Sequence, residues 1–115
     1  MAVERILAEL KALGARQLAE ATAPPKGMYT SPDILALEQE RIFGAGWLCA
    51  GRADEIARPG DYMTFEMGPQ PVILVRGKDG AVRAHANTCR HRMMRLVEGK
   101  GNASRFTCPY HAWTY

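Results

Sequence analysis

The 115-residue sequence holds only three cysteines and three histidines. It has no apolar run long enough to cross a bilayer, so a membrane-spanning protein is not expected. The N-terminus, "MAVERILAELKALG", lacks a continuous apolar stretch and a cleavage site and carries Glu4 and Glu9, so it does not read as a secretory signal. The default compartment is then the reducing cytoplasm, where Cys and His that cluster read as metal ligands rather than disulfides. A formal charge of +3 is too mild to imply a nucleic-acid partner. Acids are nearly absent from one region. Between Arg83 and His111 there are six basic residues and a single acid, Glu98.

That acid-poor region contains most of the scarce residues. "CRHRMMRLVEGKGNASRFTCPYH", Cys89 to His111, opens with Cys-x-His and closes with Cys-x-x-His. Two of the three cysteines and two of the three histidines sit here as two mixed pairs.

The chain around it reads as helices followed by strands. Val3, Ile6, Leu7, Leu10 and Leu13 follow a helical rhythm, which predicts a helix over residues 2–20. "ATAPPKGMYTSP" reads as a connector. Ser31, Pro32 and Asp33 suit a helix start, and that helix should run to about Phe43 and stop at Gly44. Tyr62–Met67 alternates as a short strand. "PVILVRGKDGAVRAHAN" predicts a hairpin with strands Val72–Arg76 and Ala81–Ala86 about a turn at Lys78, Asp79 and Gly80. Gly99, Gly101 and Asn102 suggest a turn inside the Cys/His stretch, and "RFTC" and "HAWTY" could flank its second pair as strands. The expected fold is mainly β. It is a small antiparallel domain over 44–115, with ligands on loops between strands, preceded by a helical segment over 1–43. No internal repeat or low-complexity tract is present.

Thiolate plus imidazole suits zinc or an iron–sulfur centre. Zinc fingers usually group Cys with Cys and His with His. Here each pair is mixed, and 16 residues, Arg92–Thr107, separate the pairs. A binuclear cluster gives mixed pairs a physical reason, since each of two loops can give a Cys to an inner iron and a His to an outer one. Two ferric ions, two sulfides and two thiolates sum to zero charge, so such a centre takes an electron more readily than a four-thiolate cluster. A zinc-stabilised interaction module with two Cys and two His ligands remains the alternative.

"CRH" and "CPYH" match the Rieske motif, and "NTCRHR…GN…FTCPYHAWTY" resembles the N-terminal part of the alpha subunits of Rieske non-haem iron oxygenases of the aromatic ring-hydroxylating type. "GWLCAGR", "RPGDY" and "ILVRGKDGAVRAHAN" look like the strands before the cluster in that family, and the resemblance covers roughly residues 30–115. It implies that Cys89 and Cys108 hold the inner iron of a [2Fe–2S] cluster and His91 and His111 the outer one. Met93 departs from the pattern, since many relatives have Gly after "CxHR".

The resemblance also implies electron supply from a reductase or ferredoxin and a homo-oligomeric, trimeric parent. In that parent, a mononuclear Fe(II) and a small organic substrate lie outside this chain. The family's cluster domain is closed by further strands, so the fold is expected to be incomplete at its C-terminus. Whether the chain is a fragment or a truncated gene product stays open. Once His91 and His111 are assigned, only His85 remains, so the chain is expected to lack the catalytic iron site. A stand-alone Rieske ferredoxin is a further alternative, but such proteins normally begin with the β domain, without a helical segment. Respiratory Rieske proteins carry an extra Cys in each ligand loop, which is not the case here.

Around the ligands, Tyr110 is expected to donate a hydrogen bond to a cluster sulfur. Trp113 is expected to be core or a wedge against a neighbouring domain. Arg90 and Arg92 flank the first loop as solvated charges or as a docking rim for an acidic electron donor. Cys49 is expected to be a small buried hydrophobe and His85 a structural or surface residue.

Overall fold

The computed structural model describes residues 2–66 and 70–115. The chain divides into two units, one ending at Gly46 and the other Trp47–Tyr115.

The first unit is helical. Helix α1 is Ala2–Gly14, followed by a 3-10 turn, Leu18–Glu20. Of the expected apolar face, Ile6 is buried, Val3, Leu10 and Leu13 are half-buried, and Leu7 is exposed. The connector contains a short helix, α2, Gly27–Thr30. Helix α3, Pro32–Glu38, starts at the Pro as expected, although the Ser31 side chain makes no capping bond. It passes into a π-helical turn, Gln39–Phe43, which ends where the Gly44 amide bonds the Gln39 carbonyl at 2.8 Å. Among the described residues, no helix is long and apolar enough to cross a membrane.

The second unit is built on one antiparallel sheet. Its strands are β1, Asp61–Phe65; β2, Val72–Arg76; β3, Val82–Ala86; and β4, Lys100–Asn102, in the order β3-β2-β1-β4. Strand β1 was expected over Tyr62–Met67; it spans Asp61–Phe65, and Met67 lies outside the described residues. Asp61 and Met63 of β1 and Ile73 of β2 are buried, whereas β3 is an edge strand exposed throughout. The expected β2–β3 hairpin forms, pairing Val72 with Ala86 through to Arg76 with Val82, with Ala81 taken up by the turn rather than the strand. Its turn closes through Gly77 N–H to Ala81 O at 2.8 Å, and Gly80 takes φ 80°, which glycine adopts without a side-chain clash.

Two expectations are corrected here. "GWLCAGR" forms no strand, and Cys49 within it is exposed, because 47–50 run without ladder partners before a 3-10 turn at Ala53–Ile56. The turn expected over Gly99–Asn102 is confined to Gly99, because Lys100–Asn102 pair with β1 as β4.

Side chains tie this sheet to its flanks. Tyr62 lies across Gly101, its partner in β4, so closely that a Cβ on Gly101 would meet the phenol oxygen at 2.8 Å. The same ring meets Phe106 edge-on at 5.2 Å, which anchors the chain just before the second Cys/His pair. Arg76 donates to three carbonyls, those of Ile56, Gly80 and Ala53, at 2.8, 2.7 and 2.7 Å. Asp61 accepts from Asn102 Nδ2 and from the Arg58 amide, both at 2.8 Å.

Candidate metal centre

Cys89 follows β3 almost directly, and Cys108 follows Phe106, so both pairs project from ends held by the sheet. The two loops share one backbone pattern. In the first, Cys89 N–H donates to Met94 O at 2.7 Å and Met93 N–H to Cys89 O at 2.9 Å. In the second, Cys108 N–H donates to Trp113 O at 2.7 Å and Ala112 N–H to Cys108 O at 3.0 Å. The fourth residue after each cysteine takes a left-handed conformation, Met93 at φ 56° and Ala112 at φ 59°. These are the two non-glycine residues with positive φ among those described. The loops are the same turn used twice, with the histidine two residues after the cysteine in one and three after it in the other.

This arrangement brings like with like. Cys89 and Cys108 are buried, at 1% and 3% exposure, while His91 and His111 are exposed. The imidazole centroids of His91 and His111 lie 4.8 Å apart. Among the described residues, no three His, Cys, Asp or Glu side chains converge to hold a single ion. Two pairs, sulfurs inside and imidazoles outside, suit a binuclear cluster with two protein ligands on each iron.

The first loop is closed by Asn87, which is 1% exposed. Its Oδ1 accepts from the amides of Leu96 and Val97 at 3.1 and 3.2 Å, and its Nδ2 donates to Val97 O at 2.7 Å. One side chain thus satisfies three backbone groups across the base of the loop that carries Cys89 and His91.

Tyr115 closes the second. Phe106 and Tyr115 exchange both backbone bonds at 2.9 Å, and Thr107 forms a bridge with Thr114. "RFTC" and "HAWTY" therefore meet as a single bridge rather than as full strands. The Tyr115 hydroxyl accepts from the Arg90 amide at 3.0 Å, which leaves its own proton to donate to Cys89 Sγ at 3.2 Å. That bond holds the Cys89 thiol below its ordinary pKa, against the opposing effect of burial. The backbone amide of His91 acts in the same direction. The same pairing with Cys89 pushes Tyr115 above its ordinary value.

The sulfur contact present in this structure is that of Tyr115 on Cys89. Tyr110 sits at the tip of the turn, more than half exposed, with its ring against His111 at 3.8 Å. Trp113 is neither buried core nor free, but lies on the His91 ring. Among the described residues, the side chains of Arg90 and Arg92 have no acidic partner, whereas Arg95 pairs with Glu66 and Glu98. His85 lies on exposed β3. A mostly apolar cavity of about 720 Å³, with Ile73, Val75, Leu96 and Phe106 in its lining, borders Cys89 and Tyr115. Asn87 and Tyr115 went unassigned in the sequence. The available signal was position: Asn87 precedes the first Cys by two residues, and Tyr115 follows the second by seven.

Residues 46–115 match the family described as the Rieske [2Fe–2S] domain. The chain belongs to that family, whose cofactor is the [2Fe–2S] cluster. Within the family, it is similar to subunits of Rieske oxygenases. It is 48% identical over 89 residues to the chlorobenzene dioxygenase subunit alpha of a Cupriavidus species, covering 76% of this chain and 20% of that protein. It is 42% identical over 92 residues to the carnitine monooxygenase oxygenase subunit of Acinetobacter baumannii, covering 79% of this chain and 25% of that protein. Its fold matches naphthalene 1,2-dioxygenase from a Rhodococcus species, bound to indole, with a TM-score of 0.82 and 33% identity, over 97% of this chain and 24% of that one. The chain thus spans about a fifth to a quarter of the length of these relatives.

Proposed function

We propose that Trp47–Tyr115 is the electron-transfer segment of a Rieske oxygenase alpha subunit. In this reading Cys89 and Cys108 bind the inner iron of the cluster, and His91 and His111 bind the outer iron. The observation that carries it is the doubled turn, which sorts four ligands into a buried sulfur pair and an exposed imidazole pair. When bound, the cluster supplies reversible one-electron transfer.

The chain's own residues do the rest. Burial of the two cysteines keeps water from the sulfur end. Tyr115 donates to one sulfur and so stabilises negative charge on it. The exposed imidazole edges give electrons a short path to a partner. Arg90 and Arg92, exposed and without acidic partners among the described residues, support docking of an acidic donor, a reductase or a ferredoxin. The parent enzyme would pass these electrons to a mononuclear Fe(II) outside this chain, for O2-dependent hydroxylation or demethylation of a small organic substrate. It would work as a homo-oligomer, a trimer.

The test is composition and spectrum together. The chain, expressed with iron and kept anaerobic, should hold two irons and two acid-labile sulfides. On reduction it should give the EPR signal of a mixed-ligand cluster, and His91→Ala and His111→Ala should each abolish it. One zinc and no sulfide per chain would overturn the reading.

A further inference from the structure

Beyond the turn residue Ala112 the chain is held extended by the Thr107–Thr114 bridge and the paired backbone bonds of Phe106 and Tyr115. In extended chain, residues i and i+2 point to the same side. Trp113 and Tyr115 therefore share one face, which is turned toward the first loop. Tyr115 reaches Cys89. Trp113 reaches His91: the indole and imidazole planes are 6° from parallel, with centroids 5.1 Å apart. One short tail of the second loop thus touches both ligand-type side chains of the first. His111 meets the His91 ring edge-on and has Tyr110 of its own loop against it.

His91 needs such a support. It is exposed at the tip of its turn, with no hydrogen bond to either ring nitrogen among the described residues. A side chain there is free to rotate about two bonds, and only a narrow range of ring orientations presents a nitrogen to a metal. A ligand histidine is usually oriented by a hydrogen bond from its other nitrogen. Here the flat face of the indole takes that role.

We propose that Trp113 is a positioning residue for His91, stacking on it from the opposite loop so that the ring is already oriented before the cluster is bound. The proposal rests on the reading of His91 as a cluster ligand. It also gives the order "HAWTY" a reason, since the aromatics at 113 and 115 each serve one ligand of the other loop.

The first measurement needs no metal. In the NMR spectrum of the metal-free full chain, the His91 ring protons should lie upfield of those of His85 and show NOEs to the Trp113 indole. Trp113→Ala should return them to ordinary shifts. His91 protons at ordinary shifts in the wild-type chain would overturn the proposal.

The second measurement uses the loaded, reduced chain. Pulsed EPR should resolve two sets of imidazole nitrogen couplings. Trp113→Ala should broaden or shift one set and weaken cluster retention against a chelator by about 10- to 100-fold. Trp113→Phe keeps a stacking face and should restore both. If Trp113→Ala does not load, Trp113→Phe decides, and a Phe variant that loads no better than Ala overturns the proposal. A wild-type chain that takes up no iron and sulfide defeats the ligand reading and the positioning role with it. A chain that loads, and whose couplings are unchanged in Trp113→Ala, defeats the positioning role alone.

Discussion

The Tyr115 hydroxyl stands 3.2 Å from Cys89 Sγ while the Arg90 amide donates to the same oxygen at 3.0 Å. The amide orients the phenol proton toward the sulfur. A donor so placed favours the form with more negative charge on sulfur, which is the reduced cluster. Tyr115→Phe should therefore lower the reduction potential of the loaded chain. A differential bond of about 1 kcal/mol corresponds to a shift of ~40 mV for one electron. Protein-film voltammetry on the two proteins reads this directly, and an unchanged potential would mean that the bond is absent from the loaded state.

Met93 holds φ 56°, in a region that costs a non-glycine residue about 1 kcal/mol or more, and its side chain is 75% exposed. Met93→Gly should remove that strain while losing little packing. We expect the denaturant midpoint of the metal-free chain to rise, by about 1 kcal/mol in stability, with the slope unchanged. A falling midpoint would show that the side chain contributes more than its exposure suggests.

Asn87→Ala should act in the opposite direction. It strips partners from two amides and one carbonyl at the half-buried Leu96 and Val97. At about 1 kcal/mol or more for each orphaned group, the loss is about 3 kcal/mol. Because the same bonds close the first ligand loop, the variant should also take up iron and sulfide less completely. Urea denaturation and iron analysis on the same preparation check both effects.

Asp61 gives a pH dependence. The hydrogen bond from Asn102, then that from the Arg58 amide, holds its carboxyl below the usual carboxylate range. The folded pKa thus lies below the unfolded one of about 3.9. Its stabilising contribution is complete above that value and is lost as pH falls through the folded pKa. Stability should decline below about pH 4, and Asp61→Asn should be less stable at neutral pH with a shallower acid decline. Urea midpoints across the acid range decide it, and parallel curves for the two proteins would remove Asp61 from the account.

Strand β2, its hairpin partner and the mixed Cys/His pairs were readable in the sequence because each is set by local chemistry. A continuous apolar run and a strand beginning at Val82 bound a Lys-Asp-Gly turn, and the ligand types stand at short spacings. Strand β4 was not readable. "KGN" has no strand pattern of its own and pairs only because β1 offers it an edge and Tyr62 needs the space that Gly101 leaves. The roles of Asn87 and Tyr115 were hidden for the same reason. Each acts on a partner many residues away, Tyr115 on Cys89 and Asn87 on Val97. The π-helical turn at Gln39–Phe43 likewise keeps the spacing of an ordinary helix in its sequence.

Arg76 carries a last consequence. Its guanidinium bonds the carbonyls of Ala53, Ile56 and Gly80, which belong to two segments far apart in the chain. Neither segment can loosen without releasing the hand that holds the other. In a hydrogen-exchange experiment the amides around the 3-10 turn and those around the hairpin turn should open as one cooperative unit, with a common free energy. Arg76→Lys keeps the charge but not the three-way fork, and it should split that unit into two that exchange independently.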